Sequence, residues 1–256
     1  MKYTTVVRDD LESKKVDSII KDNIKIEYCD NNPDYVIAIG GDGTIIRASH
    51  MYPDAIIFGI HTGHLGFYAN YSIDTIDDLI SDINNDEFSY HNIDIIVCEK
   101  IENDKSILLG EALNEVSIVN PLKTITMDVC VDNDFFETFK GTGLCISTPF
   151  GSTAYNKSLH GAVVDTTLSA IQLTEIAGIN SNSYRTLASP LVLNSSRIIE
   201  LVNKDKVDNA YITIDQESLL IESFDRIKIY LSNSKTKMAY HKYEDHLKRI
   251  KRSFLK

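Results

Sequence analysis

The chain has 256 residues, 43% of them apolar and 25% charged, which excludes a disordered or fibrous polypeptide and leaves room for one large core or two modest ones. A formal net charge of −11 opposes general nucleic-acid binding, because phosphate backbones need a basic surface. No apolar run approaches the ~20 residues of a membrane span, and the first residues carry no signal-like apolar stretch, so a cytoplasmic protein is expected.

In chain order, the first part alternates strand and helix signals in the manner of a Rossmann-like parallel α/β sheet. Residues 3–7 are β-branched and predict a strand. Leu11, Lys15, Ile19 and Ile20 predict a helix, and 24–28 a second strand. Asn31-Asn32-Pro33-Asp34 is turn chemistry. Residues 35–39 form a nearly continuous apolar run, as in a strand buried on both faces. That run leads straight into Gly40-Gly41-Asp42-Gly43-Thr44, with 45–51 continuing as helix. Residues 55–60 predict another buried strand, ending in a loop from Gly59 to Gly66. Residues 74–83 predict a helix with acids in its first turn, where the macrodipole favours them.

Beyond residue 91 the pattern changes to short alternating segments, at 93–98, 107–109, 116–119, 124–131, 135–139, 144–146, 198–202, 210–214, 219–221 and 226–231. These predict an antiparallel, sandwich-like all-β domain, interrupted by one helical stretch near 168–177. The expected organisation is an α/β domain over 1–91, a β-rich domain over 92–234, and a helical segment over 235–256 packing back on the first. In that last segment Tyr243, Leu247, Ile250 and Phe254 recur at helical spacing. Lys248, Arg249, Lys251, Arg252 and Lys256 then form its basic face, with an RNA-binding tail as the alternative reading. The cysteines Cys29, Cys98, Cys130 and Cys145 include no C-x-x-C pair and read as reduced, buried thiols. His61 and His64 have i, i+3 spacing but no nearby Cys or carboxylate, so no zinc site is expected.

A strand, a glycine loop and a helix start make a phosphate cradle. Glycines let the backbone approach anionic oxygens, and the helix N-terminus adds N–H donors and positive potential. Asp42, in the middle, is placed to take a proton from an attacking hydroxyl or to help hold Mg²⁺. A tight turn with Asp42 as a simple helix N-cap would leave the same pattern. The G-x-x-x-x-G-K-[ST] motif is absent, which excludes a P-loop enzyme. Asn114 and Glu115 offer an amide and a carboxylate suited to ribose hydroxyls or an adenine amine, or else form a polar β-edge turn. Gly151-Ser152-Thr153-Ala154-Tyr155 supplies hydroxyls, N–H groups and one aromatic face near a helix start, with helix capping by Ser152 and Thr153 as the plainer reading. Lys140 either approaches phosphate or is a solvated surface lysine.

The Gly40–Thr44 pentapeptide resembles the signature shared by NAD kinases and by diacylglycerol and sphingosine kinases, with a related form in phosphofructokinases. Further segments select among them. His61-Thr62-Gly63-His64-Leu65-Gly66-Phe67 resembles an NAD kinase loop, and Leu113-Asn114-Glu115 its N-E motif. The run from Ser147 through Thr148-Pro149-Phe150-Gly151-Ser152-Thr153-Ala154-Tyr155-Asn156-Lys157 to Ser158 resembles its long second signature, and Arg185-Thr186 with Ser189-Pro190-Leu191 extends the likeness. The resemblance implies the two-domain fold and Mg²⁺-dependent transfer of the ATP γ-phosphoryl to the 2′-hydroxyl of the adenosine ribose of NAD. It implies that Gly40, Gly41, Gly43 and Thr44 bind ATP phosphates, and that Asp42 is catalytic. Asp42, Gly43, Phe67, Tyr68, Asn114, Glu115, Lys140, Thr142, Thr153, Ala154, Tyr155, Ser158, Ala177 and Gln216 are implied to bind NAD. It also implies a homodimer or homotetramer whose neighbouring subunits complete the NAD site, with no nucleic-acid or membrane partner. Residue by residue, Phe67 and Ala177 read as ordinary core without that resemblance.

Two departures stand out. The family commonly has Gly-Asp-Gly ahead of the second signature, its Asp helping to bind the dinucleotide; here the segment is Gly141-Thr142-Gly143. Where a glycine is usual, this chain has His160, which is strained if the position needs the left-handed region. A lipid kinase leaves the segments at 114–115 and 148–158 unexplained. A non-catalytic sensor of NAD or NADP is suggested by Thr142 and opposed by the retained Asp42.

Overall fold

The computed structural model describes residues 1–63, 66–182, 185–204, 209–242 and 244–255. In chain order the elements begin with β1 (Lys2–Val7), α1 (Leu11–Asn23), β2 (Glu27–Tyr28), β3 (Tyr35–Ile39) and α2 (Asp42–Met51). Next come β4 (Ile56–His61), β5 (Tyr71–Ser72), α3 (Ile76–Asn85), β6 (Ser89–Glu102), β7 (Lys105–Ala112) and β8 (Glu115–Val119). They continue with β9 (Ile125–Val131), β10 (Asp134–Gly141), β11 (Gly143–Ser147), the single-turn α4 (Tyr155–Ser158), β12 (Ala170–Ile176) and β13 (Leu191–Asn194). The last are β14 (Ile199–Asn203), β15 (Ala210–Ile214), β16 (Glu217–Ile221), β17 (Arg226–Tyr240) and α5 (His246–Phe254). The chain divides into two compact units, Met1–Ile93 with Lys235–Lys256, and Asp94–Ser234.

The first unit is an α/β layer. Its strands run parallel in the order β2-β1-β3-β4, and the far edge of β4 pairs with β5 and with Lys237 and Met238 at the end of β17. Every residue of β3 is buried, as its unbroken apolar run requires of a central parallel strand. Helix α1 starts at Asp10, whose carboxylate accepts the N–H groups of Glu12 and Ser13. The face α1 buries is Ser13, Val16 and Ile20; of the residues whose spacing predicted the helix, Ile20 is buried while Leu11 and Ile19 are exposed. The strand expected over 24–28 contracts to two residues, because Ile24 and Ile26 pack against the core from a loop.

The second unit is a sandwich of antiparallel strands. One layer holds β10-β9-β14-β17, and the other β13-β12-β11-β8-β15-β16. Its core interleaves Met127, Val129, Ile199 and Leu201 from the first layer with Val116, Ile118, Leu144, Ile146 and Ile212 from the second. The helix expected near 168–177 is instead β12, flanked by β11 and β13 and buried on both faces. β-branched Ile171, Thr174 and Ile176 fit that setting better than a helix, and a short apolar run does not distinguish the two by period alone.

Helix α5 lies in the first unit, and its contact face matches the predicted one only in part. Leu247 is exposed while His246 and Arg249 are buried, and the ring of Phe254 stacks on Phe67 at 5.6 Å between centroids. Tyr243 and Lys256, counted in the expected stripe and basic face, lie outside the described residues. Cys98 and Cys145 are buried free thiols, and burial pushes the Cys98 thiol up to about 12; Cys29 and Cys130 are free and half-buried.

Candidate functional site

The glycine loop leaves β3 at its carboxyl end and opens α2. Gly40 N–H donates to Ile60 of β4 at 3.0 Å, and a Cβ there would fall 2.4 Å from Thr44 Oγ1, so the turn closes only around glycine. Gly41 occupies the N-cap position without any side-chain cap, and the space beside its Cα is open. The N–H groups of Gly41, Asp42 and Gly43 donate to no oxygen among the described residues. Uncapped amides at the start of a ten-residue helix suit anionic oxygens.

Asp42 is the first residue of α2, yet it does not cap that helix. Its carboxylate accepts two backbone N–H groups of another loop, Phe67 to Oδ2 at 2.7 Å and Tyr68 to Oδ1 at 3.0 Å. Gly66 makes this approach possible, since a Cβ there would lie 2.2 Å from Asp42 Oδ1. The N-cap reading of Asp42 is therefore replaced by one in which the carboxylate is held by charge-assisted bonds across the unit. The same loop is gripped from behind: Arg249 donates from Nη1 to the carbonyls of Phe67 and Ala69, both at 2.8 Å, and from Nη2 to Asn70 Oδ1. His61 Nδ1 lies 3.1 Å from the Gly63 carbonyl; His64 and Leu65 lie outside the described residues.

In the second unit, residues 113 and 114 carry the chain out of β7 into β8. A chain switching layers leaves the strand ladder, so its amides need other partners. Asp215, in the β15–β16 turn, supplies them. Its carboxylate accepts the N–H groups of Leu113 and Asn114, both at 2.8 Å, and of Glu115 at 3.3 Å. Opposite, Thr148 donates its N–H to Asn114 and its hydroxyl to Leu113, and a Cβ on Gly151 would fall 2.0 Å from the Asn114 carbonyl. Glu115 is only 8% exposed and its Oε2 has no hydrogen-bond partner among the described residues. Burial first, then the Asp215 charge, pushes its carboxyl up to about 8, with the Tyr155 N–H pulling the other way.

The folded state holds the Glu115 proton from the ordinary 4.5 up to about 8 whereas the unfolded state has lost it. The stability contributed is fully present below the unfolded value and declines as pH rises towards 8, at up to about 1.4 kcal/mol per pH unit. Glu115→Gln imitates the neutral form. Denaturant unfolding of both proteins should show the variant gaining on the parent from pH 5 to 8; a gap independent of pH would remove the assignment.

Residues 4–88 match the ATP-NAD kinase N-terminal domain, and residues 113–240 match the ATP-NAD kinase C-terminal domain. An NAD kinase of Limosilactobacillus reuteri subsp. reuteri (strain JCM 1112) is 35% identical, over 95% of this chain and 94% of its own. The chain belongs to the ATP-NAD kinase family. An NAD kinase of Streptococcus pyogenes serotype M28 (strain MGAS6180) is 36% identical, over 95% of this chain and 88% of its own. Among solved structures, yeast NADH kinase complexed with NADH superposes with a TM-score of 0.84 at 18% identity, covering 100% of this chain and 87% of that one. An Archaeoglobus fulgidus NAD kinase in complex with ATP gives 0.77 at 24% identity, covering 98% and 97%. At those identities the two structures speak for the fold.

The remaining residues that the family resemblance singled out are placed as follows. Tyr68 is buried and Phe67 half-buried, in the loop bound to Asp42. In the second unit, Thr153 is buried and its hydroxyl donates to the Phe150 carbonyl at 3.1 Å, while Ser152 bonds Pro149 and Val164, so both serve their own turn. Ala154 is half-buried; Tyr155 and Ser158 are exposed. Asn156, fully buried, accepts the Thr174 hydroxyl and pins this turn to β12. Lys140 is half-buried on β10, and its carbonyl accepts from Ile179. Thr142 is half-buried and its backbone bridges Ile176 and Asn120. Ala177 is not core: it is exposed, with a φ of 47°. Gln216 is exposed in the β15–β16 turn. His160 has a φ of 61°, the left-handed conformation that its replacement of a glycine made costly. Asp215 and Arg249 escaped the sequence reading. For Asp215 the available signal was an acid between two alternating runs; Arg249 was indistinguishable from its basic neighbours.

Proposed function

We propose that this protein is a cytoplasmic NAD kinase, moving the γ-phosphoryl of ATP to the 2′-hydroxyl of the adenosine ribose of NAD to give NADP. The observation carrying this reading is the pairing, at one helix start, of three amides that donate to no oxygen among the described residues with a carboxylate that two N–H groups hold still. The amides of Gly41, Asp42 and Gly43 receive phosphate oxygens of ATP, with Gly40 and Thr44 shaping the turn. Asp42 orients the ribose hydroxyl and accepts its proton. Phosphoryl transfer passes through a loose transition state, so fixed orientation outweighs base strength.

No group of three or more His, Cys, Asp or Glu fit to hold a metal ion occurs among the described residues. Mg²⁺ is commonly held by one or two carboxylates together with substrate phosphates. When bound, the ion would be held mainly by the ATP phosphates, whose charge it would neutralise. In the second unit, Asn114 and Glu115 take the hydroxyls or amine of a nucleoside, and Tyr155 offers a ring to stack on. The reading extends to a homodimer or homotetramer in which a neighbouring subunit completes the NAD site. No helix among the described residues is long and apolar enough to cross a membrane.

Incubation with NAD, ATP and Mg²⁺, followed by an NADP-specific dehydrogenase, tests the activity. Product above that of an Asp42→Asn control supports it, and binding of NAD without product would favour a sensor. Thr142 bears on affinity. Its backbone bonds to Ile176 and Asn120 do not involve the side chain, so a new side chain leaves the turn held. If position 142 faces NAD, Thr142→Asp should tighten binding by about tenfold, the scale of one charge-assisted hydrogen bond. Calorimetric titration that finds unchanged affinity would take Thr142 out of the pocket.

A further inference from the structure

The loop over residues 66–70 has two faces, both held. On one, the N–H groups of Phe67 and Tyr68 meet the Asp42 carboxylate. On the other, the Phe67 and Ala69 carbonyls and the Asn70 side chain meet the Arg249 guanidinium. The Phe67 carbonyl and the Tyr68 N–H belong to the same peptide group. A trans peptide is planar, with its C=O and N–H pointing in opposite directions. One rigid plate is thus clamped between a cation and an anion, 2.8 Å from Arg249 Nη1 at one end and 3.0 Å from Asp42 Oδ1 at the other. Turning the plate to release either end releases both.

The clamp is built into the unit. Arg249 is 5% exposed, and its Nε lies 3.5 Å from Glu244, which also receives Arg252. Asn70 passes the hold on to β17, donating to the Ala239 carbonyl at 2.9 Å. Phe67 is packed by Phe254 and by His246, 5.8 Å between centroids. A guanidinium has five donors in a fixed fork and can serve two carbonyls and an amide at once; a lysine ammonium is a single point and cannot keep this geometry.

We propose that Arg249 is a positioning residue for phosphoryl transfer, acting through the 67–68 peptide to set the orientation of the Asp42 carboxylate. The inference rests on the reading of Asp42 as the group that receives the ribose hydroxyl proton. The test is a double-mutant cycle with Arg249→Lys and Asp42→Asn, following NADP formation with saturating NAD, ATP and Mg²⁺. In the parent background R249K should lower kcat by about 10- to 100-fold, the scale of a small misplacement of a reacting group, with both KM values changed less than about threefold. In the Asp42→Asn background R249K should change kcat by less than about twofold, because there is no longer a carboxylate to aim. Amide hydrogen exchange at Phe67 and Tyr68 should quicken in R249K while that of β3 does not.

An unchanged kcat in R249K, alongside an impaired Asp42→Asn, overturns the positioning role alone. The same fractional loss in both backgrounds also overturns it, by showing a general structural effect. Full activity in Asp42→Asn overturns instead the reading on which the inference rests. Should R249K melt below the assay temperature, Glu244→Gln carries the same cycle: it loosens the fork without removing it, with an expected kcat loss of a few-fold in the parent and none in Asp42→Asn.

Discussion

Asp42→Asn is expected to lower kcat for NADP formation by about 10²- to 10⁴-fold, the range that a positioned general base contributes. The substitution is nearly isosteric but changes two things. It removes the proton acceptor, and it leaves one oxygen where two N–H groups now find one each. The asparagine oxygen can keep one of them, while its amide faces the other donor to donor. A local cost of about 1–3 kcal/mol follows from that unmet donor, a modest fraction of the stability of a folded unit. The lost rate must therefore exceed what loosening of the loop explains. Two controls make the separation. The amides of Gly41, Asp42 and Gly43 are backbone groups and survive the change, so KM for ATP should move less than about threefold. Thermal unfolding should fall by about 2–12 °C, as about 1–3 kcal/mol implies. A variant retaining near-parental kcat would sink the assignment of Asp42, and one that loses ATP affinity in parallel would reassign Asp42 to metal or phosphate binding.

The parts of this site that could be read from the sequence are contiguous in it. The buried run of β3, the glycines and the start of α2 are successive residues, so strand, turn and helix chemistry each leave a local mark. Asn114 and Glu115 were visible for a similar reason, as adjacent polar residues at the start of a strand-like run. What could not be read are the distant partners. Arg249 reaches Phe67 across 182 positions, and Asp215 reaches Asn114 across 101. Helical spacing favoured Leu247 as the docking residue of α5, but the back of the 66–70 loop presents carbonyls and needs a donor. The apolar pattern of 168–177 misled in another way: a strand between two others is buried on both faces and loses its alternation. His160 was legible as a departure, and its φ of 61° bears out the backbone cost that a missing glycine foretold.

The largest stability effect is expected at Asp215. Its carboxylate receives three backbone N–H groups where the chain passes from β7 to β8, and no strand ladder replaces them. Asp215→Ala orphans all three at once. Water can reach the half-exposed turn and recover part of the loss, so the cost is set at about 3 kcal/mol rather than the sum of three charge-assisted bonds. For a chain of this size that lowers the melting temperature by on the order of 10 °C. The backbone adds a smaller term, since Asp215 has a φ of 49°, a conformation asparagine and aspartate tolerate better than alanine. Asp215→Asn separates the contributions. It keeps the conformational tolerance and one oxygen able to accept from Asn114 and Glu115, but turns an amide towards Leu113, so its cost should be about half that of alanine. It also removes the negative charge that helps to raise the Glu115 carboxyl. The decline of stability between pH 5 and 8 should then be shallower in Asp215→Asn than in the parent. Calorimetric melts across that range decide the matter: equal melting temperatures for parent and alanine variants would mean the 113–115 crossing is held by Thr148 and Gly151 alone, and an unaltered pH slope in the asparagine variant would leave burial as the sole cause of the raised Glu115 value.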